Sequence, residues 1–454
     1  MNAVFEVGTA KVDITPPMTI PYLGFQPRHA LFQDVHDPLY ARALAVDAGA
    51  APVVIIAVDA IGYSKDIMGP GRSFTGEVRR RVGALADVPP NNIMIVSSHA
   101  HSTPETINVR PLLDTPAAGA WLEVLINQLA SAATLAVRRK RPCTLKVKTG
   151  ELHGLSVNRR IVGKDGKLYW GLNRPHDDEI SDWGLVDHQV GVLFFEAIEG
   201  DSCIVITNFA CHPITVQVQP LVSADFPGTA MALVEHTIYS CAGSLFLQGA
   251  CGNLNPIRAD TRDFEDVKRY GLMLGGEVIK MVGQMSGSEQ AERSLTAAGI
   301  SETVLLPGRE VPSRETVQIA YDEANQKLAR ARTEEKRQHF AGKRRLAEEA
   351  LIQIDRAPEP ILGEVQVIRL GDVAIVGLPG EPFVELGLQI KAHAVAPHPL
   401  VAGYANDYLG YFATPEAWEQ GGYEVGNGPW ARVGCEGSAL LVEKAIDMIN
   451  TMWH

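Results

Sequence analysis

HQVGVLFFEAIEGDSCIVITNFACH, residues 188–212, holds the plan of the chain in one line. Two runs of β-branched and aromatic residues flank a turn at Glu199 to Ser202, which reads as a tight hairpin. The second run then stops at His212. The same plan stands at residues 40–59, YARALAVDAGAAPVVIIAVD, closing on Asp59, and at residues 364–381, EVQVIRLGDVAIVGLPGE, closing on Glu381. Tight hairpins imply antiparallel neighbours. The amphipathic segments at residues 73–86, 119–138, 265–283 and 383–393 predict helices over the sheet faces. The expected fold class is therefore α/β in the mixed α+β sense: a mixed, largely hairpin-connected β-sheet core with flanking helices, in one sheet or in two packed sheets.

Residues 313–356 differ in texture, being rich in Glu, Lys, Arg and Ala and free of proline, a strongly helical composition. Val317, Tyr321, Ala324, Leu328 and Ala331 form a narrow apolar seam on a charged helix, and Gly342 is expected to divide it from a second one. The segment reads as a charged helical hairpin inserted within a single domain of residues 1–454. A solvated pair lying on the body is the plain expectation. A dimer contact or a lid over the site is the sharper alternative, and a homo-oligomer stays open.

With 454 residues, 46% hydrophobic and 21% charged, the composition is that of an ordinary globular protein. No stretch reads as apolar over the length needed to cross a bilayer. A net charge of -12 disfavours nucleic acid or an anionic membrane as main partner, since both call for a basic footprint. The six cysteines show no CxxC pairing, which points to buried thiols in a reducing compartment. The opening MNAVFEVGTAKVDITPP lacks the basic and apolar regions of a signal peptide, so a cytoplasmic location is expected.

Four apolar strands each run into a polar cluster: IMIVSSHAHSTPE with His99 and His101, CIVITNFACHPITV with His212, VAIVGLPGEPFVE with Glu381, and LVAGYANDYLGY with Tyr411. Residues so far apart meet only if several strands end on one side, where open sheets place their sites. Catalytic zinc takes three protein ligands and keeps a position for water, and His99, His212 and Glu381 would supply such a set. A lone histidine after a strand is more often a structural residue. Here Pro213, Pro379, Gly380 and Pro382 fix the backbone around the candidates.

VGTAKVDITPP, SSHAHSTPE, VNRR, NFACHPITV followed by SADFPG, FLQGACGNLNP, LPGEPF and GYANDYLGYFATPEAWEQGGYEVG resemble, in this order, the catalytic domain of the neutral/alkaline non-lysosomal ceramidases. The resemblance runs from Glu6 to the C-terminus. It implies zinc held by His99, His212, Glu381 and Tyr411, with His101, Arg159 and Tyr423 facing the scissile amide. The spacing of Tyr411 and Tyr423 matches the family's tyrosine pair and selects them over Tyr404 and Tyr408. The chain departs from the family at GNLNP, where Asn253 and Asn255 stand in place of a GDxSPN motif with its serine. It also reads without the family's C-terminal β-domain or a secretion signal, which favours a smaller amide over membrane sphingolipid.

Zinc lowers the pKa of its water to about 7. Arg159 and Tyr423 are the candidate oxyanion donors and His101 the candidate general acid, with Arg160 a rival to Arg159. The expected function is a zinc-dependent hydrolase cleaving a linear amide (N-acyl) bond of a small soluble or modestly lipidic substrate. A zinc-dependent esterase or lactonase shares the same tetrahedral oxyanion, and a binding or scaffold protein with a structural metal is the non-enzyme alternative. Manganese, iron or cobalt would also suit such ligands. The expected partner is a small-molecule amide or ester, with no nucleic acid and no stable membrane association. Asp59 and Asp225 are candidate partners of the histidines. His36 and Asp37 are candidate pocket residues, while Cys211 and Cys251 are not read as nucleophiles because no base is placed beside them.

Overall fold

Along Gln189–Ala197, Val190, Val192 and Phe194 enter one apolar cluster while Leu193 and Phe195 enter another, so this strand is buried on both faces. A sheet of such strands needs a layer on either side. The computed structural model describes residues 3–22, 30–107, 112–170, 175–217, 219–288, 291–356 and 360–454. Its main sheet comprises β1 (Phe5–Asp13), β2 (Tyr40–Asp47), β3 (Val53–Val58), β4 (Ile93–Ser97), β5 (Arg141–Glu151), β6 (Gln189–Ala197), β7 (Cys203–Phe209) and β8 (Cys241–Gln248). The spatial order is β8-β7-β6-β5-β1-β2-β3-β4, with antiparallel pairing inside and a parallel pair at each edge. A second sheet holds β9 (Ala297–Leu306), β10 (Ile361–Leu370), β11 (Val373–Gly377) and β12 (His398–Ala402) in sequential order, the last pair parallel.

The expected mixed, hairpin-connected class holds, and the core is two packed sheets. Ile368, Leu370, Val373 and Ile375 of the second sheet meet Leu44, Val46, Leu193 and Phe195 of the first. Helices α1 (Phe74–Ala86), α2 (Ala118–Arg138), α3 (Asp225–Thr237) and α4 (Phe264–Met285) cover the other face of the main sheet. The outer face of the second sheet is covered by α7 (Val384–His393) and α9 (Cys435–Trp453). The layers are thus helix, sheet, sheet, helix. By length and composition α2 is apolar enough to cross a membrane, contrary to the expectation that no stretch would be. Its apolar side is packed into the core: Leu122, Leu125, Ile126 and Leu129 lie against the main sheet.

The recurrent hairpin extends further than its strands. Each of β2-β3, β6-β7 and β10-β11 is followed by a helix and by a strand parallel to the second strand of the hairpin: α1 and β4, α3 and β8, α7 and β12. A parallel return needs such a crossover. In the flat ladder β4 and β7 run in opposite senses. A right-handed twist of roughly 20–25° per strand accumulates along the sheet and turns its two edges toward one another. At the meeting point the Gln248 side-chain amide donates to Ser98 O at 2.9 Å and to Cys211 O at 2.8 Å, and Gly403 N donates to Gln248 O at 3.0 Å. The ends of β4, β7, β8 and β12 are tied together by that one residue.

The charged insertion forms a helical hairpin, α5 (Arg314–Arg330) and α6 (Glu334–Arg356), followed later in the chain by the short α8 (Pro415–Gln420). Val317 and Ala324 are buried, and Val317 packs with Ala347 and Ala350. One expectation is corrected: the break falls between Arg330 and Glu334, and Gly342 lies inside α6. A glycine costs a helix interior only about 1 kcal/mol relative to alanine, which flanking helix formers outweigh.

Candidate metal centre

His99 lies two residues beyond β4 with φ of 67°, a left-handed conformation uncommon for any residue but glycine. The kink turns the imidazole inward. Its Nδ1 lies 2.6 Å from Ile61 O and its Nε2 3.4 Å from Glu381 Oε2. His212, just past β7, has Nδ1 at 2.7 Å from Cys251 O and 2.9 Å from Leu254 O, and Nε2 at 3.1 Å from the same Glu381 oxygen. A carbonyl only accepts, so each Nδ1 carries the proton and each Nε2 turns a lone pair toward the carboxylate. Glu381 is delivered by the loop after β11, where it bridges to Tyr411. Gly380 before it has φ of 156°, and a Cβ there would lie 2.4 Å from Gly410 O. Only glycine lets the two loops approach so closely.

His101 completes the cluster. Its Nε2 is 3.2 Å from that of His99, and donor atoms of His99, His101 and His212 all lie within 4.8 Å of one another. His99, His212 and Glu381 are buried, whereas His101 is half-buried at the mouth. Burial brings His212 down to about 4 and, with His99 and His212 nearby, holds His101 well below the usual histidine range. Imidazole lone pairs and an anionic oxygen facing one another repel unless a cation lies among them. The donor set therefore fits a divalent metal, and its N and O atoms are ones that zinc takes.

Around this centre the tyrosines take separate parts. The ring of Tyr404, at φ 55°, stacks on His99 with centroids 3.9 Å apart, and its hydroxyl donates to Glu381 Oε2 at 3.3 Å. Tyr408 donates to Glu381 Oε1 at 2.5 Å. The Tyr411 hydroxyl accepts from Arg159 Nη2 at 3.0 Å, and the Tyr423 ring lies 6.0 Å from that of Tyr411. Of the expected ligands, His99, His212 and Glu381 converge directly, while Tyr411 meets the centre beside Arg159. Tyr404 and Tyr408, passed over in the sequence, hold the carboxylate. The only signal was their place in the same GYANDYLGY segment.

Residues 5–249 match the family model for neutral/alkaline non-lysosomal ceramidase, N-terminal. The chain belongs to that family. It is 21% identical to the neutral ceramidase of Pseudomonas aeruginosa over 97% of this chain and 72% of that protein. It is 23% identical to the neutral ceramidase of Mycobacterium tuberculosis over 93% of this chain and 74% of that one. The crystal structure of the Pseudomonas aeruginosa neutral ceramidase superposes with a TM-score of 0.73 at 18% identity, covering all of this chain and 75% of that one. A structure described as ceramidase complexed with C2 gives 0.70 at 17%, covering all of this chain and 76% of that chain.

In this ceramidase-family site the two adjacent arginines separate cleanly. Arg159 donates to Glu424 Oε1 at 3.0 Å, to Asn255 Oδ1 at 3.3 Å and to Tyr411. Burial opposes its charge, but Tyr411 and Glu424 outweigh that and keep it a cation. Arg160 instead reaches Glu424 Oε2 at 2.8 Å and Gly421 O at 2.8 Å, tying the loop behind. The two asparagines divide likewise. Asn255 faces Arg159, whereas Asn253 accepts from Val384 N at 2.8 Å and donates to Glu385 at 2.9 Å, securing the start of α7.

Two expectations are corrected and a third holds. Asp59 accepts from Arg42 and from Tyr40 N, and Asp225 accepts from the amides of Thr215, Val216 and Phe226, so neither orients a histidine; backbone carbonyls do. His36 stacks on Phe264 and pairs with Asp37, which in turn accepts from Ser223 Oγ and Ala224 N, so both are scaffold. Burial raises the Cys211 and Cys251 thiols, which agrees with reading neither as a nucleophile.

Proposed function

We propose that this family member is a zinc-dependent hydrolase that cleaves a linear N-acyl amide bond. One observation carries the reading: two buried histidines whose Nδ1 protons are committed to carbonyls turn their Nε2 lone pairs onto the ionised Glu381. The relatives bear the name neutral ceramidase, and a ceramide is an N-acyl amide, which supports amide over other bonds.

His99, His212 and Glu381 would hold the metal, with Tyr404 and Tyr408 steadying the carboxylate. When bound, zinc supplies a water whose pKa is near neutrality. Arg159, held at three points, keeps a guanidinium ready for the oxygen on which charge develops, and Tyr423 is the second donor. His101 is neutral at rest because burial opposes its charge. It accepts a proton and returns it to the leaving amine nitrogen.

The test is metal content of the purified wild type beside His212→Ala, with hydrolysis of matched N-acyl amides and esters. About one zinc per chain, lost with turnover in the variant, is the expected result. A folded, metal-free wild type whose turnover ignores chelator overturns the reading, and turnover of esters alone would reassign the bond.

A further inference from the structure

Beside the metal centre two buried polar atoms, His101 Nδ1 and Gln217 Oε1, have no partner of ordinary hydrogen-bond geometry among the described residues. Buried polar atoms are nearly always paired, so two such atoms on neighbouring side chains call for a reason. The Gln217 side chain lies against His101 and favours its protonated form, as an acceptor oxygen does and an N–H does not. The far end of the same amide settles its orientation. Gln217 Nε2 donates to Asp260 Oδ1, and a carboxylate only accepts, so Oε1 is the atom left to turn toward the imidazole.

The backbone holds these three residues in place. The segment of residues 213–217 runs alongside the His101 loop: His101 N donates to Pro213 O at 3.3 Å, and Ser102 Oγ donates to Val216 O at 3.1 Å. Asp225 fixes that segment by accepting from Thr215 N at 2.8 Å. Asp260 N donates to Ile214 O at 3.0 Å and Thr261 N to Thr215 O at 2.8 Å, which sets the Asp260 carboxylate beside Gln217. Asp260 stands at φ 57° on the exposed rim, whereas Gln217 is buried. On the metal side of the ring, His101 Nε2 stands 3.2 Å from His99 Nε2.

We propose that Gln217, aligned by Asp260, is a positioning residue of the site: its Oε1 takes the Nδ1–H of His101 and so points the Nε2 lone pair at the reacting centre. The proposal rests on the amidohydrolase reading, in which that Nε2 carries the proton to the leaving amine. Without the acceptor the ring is free to turn, or to carry its hydrogen on Nε2 instead, and either change takes the lone pair away.

The test uses the full zinc-loaded chain and amides of one acid with amines of rising basicity, from trifluoroethylamine to butylamine. A basic amine leaves only once protonated, and a weakly basic one depends on that proton less. Gln217→Leu is expected to lower kcat for the butylamide roughly 10–100-fold and for the trifluoroethylamide much less, with KM and zinc content unchanged. Asp260→Gly suits the left-handed backbone and removes only the carboxylate; it is expected to show the same pattern, and Asp260→Asn to recover most of the loss. Nitrogen NMR of protein labelled at histidine reads the tautomer directly, the His101 signal being assigned by its absence from His101→Gln. The Nδ1–H form is expected in the wild type and is expected to be lost in Gln217→Leu. Losses that are absent or equal across the amines, or a His101 tautomer unmoved by Gln217→Leu, overturn the positioning role and spare the amidohydrolase reading. A zinc-loaded wild type that cleaves none of the amides overturns both.

Discussion

Replacing Glu424 with glutamine tests the electrostatic frame of the site. The Glu424 side chain is fully buried between the Arg159 and Arg160 guanidinium groups, each about 5% exposed, at 3.0 and 2.8 Å. Glutamine keeps one acceptor oxygen and turns an NH2 donor toward whichever guanidinium it does not serve. The neutral bonds survive, since Arg160 still reaches Gly421 O and Arg159 still reaches Tyr411 and Asn255. What is lost is the counter-charge of two buried cations, and breaking such a pair costs about 3–5 kcal/mol. A control is at hand in Glu323→Gln, which breaks a solvent-screened, exposed pair with Lys327 and should barely move the unfolding midpoint. Urea unfolding of both variants at pH 7 reads the difference as a shift in midpoint at constant slope. If Glu424→Gln unfolds at the same urea concentration as Glu323→Gln, the two arginines do not depend on that carboxylate and the frame is wrongly drawn.

Burial raises the Asp225 carboxyl from 3.8 to about 6. A raised acid stabilises the fold fully below pH 3.8 and loses that contribution as pH rises through 6, which amounts to about 3 kcal/mol. Asp225→Asn removes the term, so the variant should gain on the wild type between pH 4 and 7; a constant difference across that range would count against it. Tyr408→Phe strips a donor from Glu381 Oε1 and should weaken metal retention about 10–100-fold in chelator competition, with no change the contrary result. Gly380→Ala sets a Cβ against Gly410 O, and the displaced Glu381 should lower metal content even in protein that still folds. Normal metal content in that variant would show that the loop has room to spare.

Much of this arrangement was legible in the residue pattern. The three hairpins and the helices over residues 73–86, 119–138, 265–283 and 383–393 follow from local periodicity and turn residues, and each is present within a residue or two. The sequence reading placed no helix over α3 or α9. Asp225-Phe-Pro-Gly at the start of α3 carries turn residues that mask a helix, and Asp225 itself sits at φ 54°. The inserted hairpin was expected, but its break was sought at the wrong residue, because a glycine is only a weak interruption where neighbouring side chains pack.

The chain by itself determined which residues stand at strand ends: His99, His212 and Glu381 each follow an apolar run, and a strand can offer a polar side chain to a shared site only where it stops. Tertiary structure alone decided what those residues face. Ile61 O meets His99 across 38 residues, Cys251 O meets His212 across 39, and Glu381 reaches His212 across 169. Those pairings depend on the twist that brings opposite sheet edges together and on the left-handed turn at His99. Neither is a property of any local stretch. The choice among four tyrosines within twenty residues was likewise made by loop geometry, which set Tyr404 and Tyr408 on the carboxylate and Tyr411 on Arg159.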